Sequence, residues 1–201
     1  MESESNNASL EHLVLDQLTH HTELPETVIS QAIDRLIKGI GHLFSWTWLV
    51  LMAVIILNVL MRYVLSEGRI EFEELQWHLY AVGWLVGLSY CYVADDHVRV
   101  DLFHDRMSLK KQAWVELFGI LFLLTPFLVV VLWYVIPFIS YSWEMGEVSA
   151  APGGLPYRWA MKTVLLIGFV LLALAVVSRF SRVVALLFMS GPAATATQNK
   201  V

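Results

Sequence analysis

The stretch NVLMRYVLSEGRIEFEELQWHLY, residues 58–80, decides how this chain folds. It parts two long uncharged runs and concentrates Arg62, Arg69, Glu67, Glu71, Glu73 and Glu74 between them. One ionised side chain at the centre of a membrane helix costs about 2.5 to 3.5 kcal/mol on insertion scales, so a cluster this dense marks a corner between two helices. Arg62 then closes the first helix, where a cation complements the dipole, and Glu73 and Glu74 open the second, where an anion does. Asn58 lies four residues before Arg62 and shares its face. This reading predicts that a glutamate meets Arg62 across the short connection.

Outward from the corner, uncharged runs cover 39–61, 75–94, 117–143 and 163–178. With 57% hydrophobic residues, 15% charged and eight tryptophans, the composition is that of a chain built for lipid. The first run has 23 residues, and at about 1.5 Å each it reaches roughly 34 Å, enough for a hydrocarbon core of about 30 Å. The third has 27 residues, which implies either tilt or a kink, and Pro126 and Pro137 each remove a backbone donor where a kink could form. The fourth is short and is extended if Lys162 and Arg179 lay their stems along the helix and lift their charges to the headgroups.

The fold expected is therefore an all-α integral membrane protein of four transmembrane helices, at about 39–62, 73–94, 113–141 and 159–180, within a membrane domain of 39–188. A polar tail occupies 1–24 and another 189–201. Between the first tail and the first span, residues 25–38 read as an amphipathic interfacial helix. Val28, Ile29, Ala32, Ile33, Leu36, Ile37 and Ile40 fall on one face, and Glu26, Gln31, Asp34, Arg35 and Lys38 on the other. The acidic start MESESNNASLEHLVLD is unlike a cleaved signal.

Lysine and arginine placement orients the chain. Arg35, Lys38, Arg99, Arg106, Lys110, Lys111, Arg179, Arg182 and Lys200 fall on one side, and only Arg62, Arg69, Arg158 and Lys162 on the other. Both termini are therefore expected in the cytoplasm. Trp77 and Tyr80 read as interfacial anchors, and Gly83 and Gly87 form a small-xxx-small pattern that admits a neighbouring helix. In the loop after the second span, His97 and Asp101 stand four apart. GEVSAAPGGLPYRW, with Glu147, Gly154 and Pro156, reads as a tight turn before the fourth span.

The spans carry no catalytic constellation, nucleotide loop or metal cluster, so no cofactor and no enzymatic activity are expected, nor a nucleic-acid partner. A haem-binding membrane anchor of a respiratory enzyme is the alternative, because helical bundles hold haem between facing histidines. His42 and His78 are the histidines at the spans, and the topology puts them at opposite faces of the membrane.

Four motifs together resemble a known family. They are Asn58-xxx-Arg62, EELQWHLY at 73–80, DDHVRVDLF at 95–103, and GEVSAAPGGLPYRWAMK at 146–162. The chain resembles the small membrane subunit, DctQ-type, of tripartite ATP-independent periplasmic (TRAP) transporters, and its LQWHLY and HVRVD versions are most similar to the subgroup labelled mannitol or chloroaromatic. The resemblance implies a bacterial inner membrane that the chain crosses repeatedly. It also implies a scaffold without catalytic residues, beside a large elevator-type membrane subunit driven by sodium, with a periplasmic binding protein delivering an organic acid. Asn58, Arg62, Glu73 and Glu74 would then fix the first corner, His97 and Asp101 the next loop, and Gly154 and Pro156 the last.

Overall fold

The computed structural model describes residues 24–97 and 107–189, and among these the regular structure is entirely helical. Four long helices follow one another: α1 over Val28–Val64, α2 over Ile70–Ala94, α3 over Leu109–Glu144 and α4 over Arg158–Met189. Of these, α1, α3 and α4 are long and apolar enough to cross a membrane. Helix α2 is shorter and more polar, with Gln76, His78 and Ser89 among its residues.

Helix α1 begins where Thr27 caps it: the Thr27 hydroxyl accepts from the Ser30 amide at 3.1 Å, and Ser30 Oγ accepts from the Thr27 amide at 3.0 Å. From there it runs 37 residues without a break. Residues 28–38 are thus its first turns and not a separate helix. The inward face also differs from the expectation. Ser30, Asp34 and Ile37 are buried, while Val28 and Ile29 are exposed. Asp34 was placed on the solvated face by its charge, but an aspartate with a cation to meet is stable inside, and Arg182 supplies it.

Helix α4 is the centre of the bundle and packs against each of the others. Gly168 is the reason α2 can come close: a methyl group there would stand 2.8 Å from Leu85 Cβ. Helices α1 and α2 form an antiparallel pair along their lengths. Near its middle, Gly83 lets the Trp48 ring lie flush on α2, since an added Cβ would sit 3.1 Å from it. Gly87, the other half of the small-xxx-small pattern, has open space where a Cβ would go.

Helix α3 leans on α4 through Ile120, Leu128, Leu172 and Val176 and scarcely touches α1 or α2. It does not break at its prolines. One wide turn, Ile120–Leu124, precedes Pro126, and the Thr125 amide reaches back to the Ile120 carbonyl. This π turn shifts the hydrogen-bond ladder where Pro126 has no donor to give.

Candidate functional site in two charged layers

Charged side chains gather at the two ends of the bundle. At the end where α1 stops and α2 starts, Arg62 pairs with Glu73, both about half exposed. Glu74, one residue on, turns the other way: it accepts from Ser149 Oγ and from the Leu155 amide. The loop between α3 and α4 is thereby held on the first turns of α2. Gly154 makes the fit possible, because a Cβ there would lie 2.5 Å from Ser149 Cβ and 2.8 Å from Glu74 Oε1.

The same loop is closed from within. The Ser149 amide donates to the Leu155 carbonyl at 3.2 Å and the Arg158 amide to the Glu147 carbonyl at 3.2 Å. Glu147 also pairs with Lys162, whose ammonium stands 3.9 Å from the centre of the Phe138 ring. Lys162 is therefore engaged by groups of the bundle itself. Its hydrogen bond holds the Glu147 carboxyl below the usual glutamate range. Pro156 follows Leu155, and Tyr157, at φ 63°, turns the chain into α4.

Arg179 dominates the opposite end. Only 6% of its side chain is exposed, and it pairs with Asp95 at 3.0 Å and with Glu116 through two nitrogens. Asp95 caps α2 in the left-handed conformation and Glu116 belongs to α3, so one guanidinium ties α2 and α3 to α4. One turn along, Arg182 pairs with Asp34, which also accepts from Ser178 Oγ at 2.6 Å. Thr27 and Ser181 hydroxyls share a hydrogen bond of 2.8 Å. Ser178, Arg179, Ser181 and Arg182 thus present a polar hub to which α1, α2 and α3 are all fastened. A planar fork with five donors can serve two carboxylates at once in fixed directions, where a lysine offers a compact point charge without the bidentate geometry.

Sequence reasoning missed this hub. Arg179 reads in sequence as a snorkelling end and Arg182 only as one of the cations that orient the chain, because their carboxylate partners are 63 to 148 residues away in the chain. Asp34 gave no local signal, because in sequence it falls with Gln31, Arg35 and Lys38 on the polar side of its helix.

The residues expected to matter divide by these layers. Arg62, Glu73, Glu74, Glu147, Gly154 and Pro156 gather at the first end. Asn58 is buried just inside it, and its Oδ1 has no hydrogen-bond partner among the described residues. Trp77 projects outward at 73% exposure and Gly83 faces Trp48. His97 lies at the other end, its ring 5.7 Å from that of Tyr92. Asp101 is outside the described residues.

Because α3 stands away from α2, a cleft of 430 Å³ opens between them with Arg179 at its floor. His97, Gln112 and Glu116 line its polar part, and Val115, Ile120 and Leu124 its apolar part. Among the described residues no group of three histidine, cysteine, aspartate or glutamate side chains is placed to hold a metal.

Apolar helices fastened at both ends by internal ion pairs define a membrane-embedded helical protein whose charges hold the bundle together. The family model of the DctQ component of tripartite ATP-independent periplasmic transporters matches residues 51–198, and the chain belongs to that family. It is a small permease subunit of a TRAP transporter, a transport component and not a member of an enzyme family. A search of curated proteins finds no match. The haem-anchor alternative has no support from the family, and His42 and His78 lie at different levels, beside Tyr90 and Glu74.

Proposed function

We propose that this subunit is a rigid membrane scaffold. It holds the immobile part of a large elevator-type TRAP subunit during sodium-coupled uptake of an organic acid or related solute delivered by a periplasmic binding protein. The observation that carries this reading is the double fastening: α4 is tied to the other three helices at the Arg179 end, and the last loop is tied to α2 at the Glu74 end. A moving partner needs a fixed body to move against, and a bundle locked at both ends supplies one.

In this proposal all four helices cross the inner membrane. Helix α2, with 25 residues and about 38 Å of length, is the fourth span, its polar side chains tolerated because it is held between α1 and α4. The Arg179 end and both termini face the cytoplasm, following the lysine and arginine bias. The Arg62 and Gly154 corners face the periplasm, where the binding protein docks.

Reconstitution tests the proposal. Uptake into liposomes is expected only when this chain, the large subunit, the binding protein and an inward sodium gradient are all present. Uptake by this chain alone, or uptake by the large subunit and binding protein without it, overturns the scaffold reading.

A further inference from the structure

We infer that the outward face of α1 is the seat of a long helix of the large membrane subunit, packed along it as in a coiled coil and carrying acidic residues beside its apolar seam. The inference rests on the scaffold reading and adds the surface and the chemistry of the partner helix.

Ile29, Leu36, Leu43, Val50, Leu57 and Val64 recur every seven residues along α1, and each is between 46% and 70% exposed. Three positions after the first three of these come Ala32, Gly39 and Trp46, also exposed. A period of seven apolar residues is the signature of a seam that another helix follows at a shallow crossing angle.

Lipid explains only part of this seam. In the second half of α1 the positions flanking it are apolar too, as Leu49, Met52, Ile56 and Val59 show. In the first half one flank is polar, with Gln31, Arg35, Lys38, His42 and Ser45 all exposed, while the seam and its other flank, Ile33 and Ile40, are apolar. Hydrocarbon tails would ask for apolar flanks there as well.

The level of the change agrees. Tyr90 of α2 lies against Gly41 and His42 of α1, so in an antiparallel pair Asp95, five residues on, stands near Leu36. Asp95 belongs to the Arg179 layer, and Ile29, Ala32 and Leu36 lie at or beyond it. Nor can α1 roll to hide them, because Asp34 fixes the opposite face to Ser178 and Arg182.

Arg35 and Lys38 border the seam, which favours acidic flanks on the occupant and opposes a second copy of this chain lying parallel, where the same cations would face each other. Leu24, the first described residue, packs on Ala113, Leu117 and Val183, at α3 and α4, and not on this face. The family model begins at residue 51, so this first half of α1 lies outside its match.

Cys91 is the single cysteine, and Cys91→Ser gives a background for labelling. Leu36→Cys, Leu43→Cys, Gln31→Cys and Lys38→Cys, each carrying a thiol-linked benzophenone, are irradiated in membranes containing the large subunit. Adducts with the large subunit are expected from positions 36 and 43 at several-fold higher yield than from 31 and 38, and Leu36→Glu is expected to lose co-purification while the chain remains inserted. Equal yields at all four positions, adducts with phospholipid alone, a cross-linked homodimer, or a cross-link to residues 1–23 of the same chain each overturn the inference. If the large subunit co-purifies but adducts arise elsewhere, only this surface is wrong; if it never co-purifies, the scaffold reading falls and the inference with it.

Discussion

Arg62 and Arg179 carry the same charge at opposite ends of the bundle, yet their removal is expected to cost very different amounts. Arg62 and Glu73 are half exposed, and such pairs contribute about 0.2 to 1 kcal/mol. Arg179→Ala instead removes a buried counter-charge from Asp95 and Glu116, and breaking a buried pair costs about 3 to 5 kcal/mol. Denaturation of the two variants in matched detergent micelles checks the difference; equal losses would show that burial does not set the strength of these ties. Glu147 gives a pH dependence. Its carboxyl is held below the usual range by Lys162, so the contribution is present above the ordinary glutamate value near 4.3 and is lost as pH falls below it. The melting temperature of the wild type is expected to drop on acidification through that region, and Glu147→Gln to remove that part of the drop.

At the scale of the element, the helices were legible from their uncharged runs, but their internal faces were not. The corner at 62–73 was readable because charge at both helix ends is locally favourable, and Arg62 does meet Glu73. Glu74 was not separable from Glu73 in sequence, since only the arrival of the last loop gives it Ser149 and Leu155 as partners. Nor was the role of Gly168: it lies in a run of large apolar residues, and nothing local says that Leu85 presses on it. Gly168→Ala is expected to push α2 from α4 at a cost of about 1 to 3 kcal/mol, typical of overpacking. Gly87→Ala, with open space at that position, is the control that should leave stability unchanged.

For the whole molecule, the expected signature is dependence on a partner. The large exposed aromatics of α3, Phe122, Trp133 and Tyr134 among them, suit lipid or protein but not water. The sequence by itself determined the long apolar helices, the corner between α1 and α2, and, through its four motifs, the family. Each of these depends on residues close together in the chain or on a pattern repeated along it. The tertiary structure alone decided that Asp34 faces inward, that Arg179 ties three helices together and that a single glycine seats α2 on α4. Those outcomes depend on pairs of groups far apart in sequence, where a buried charge is tolerable only if its distant counter-charge arrives at the same place.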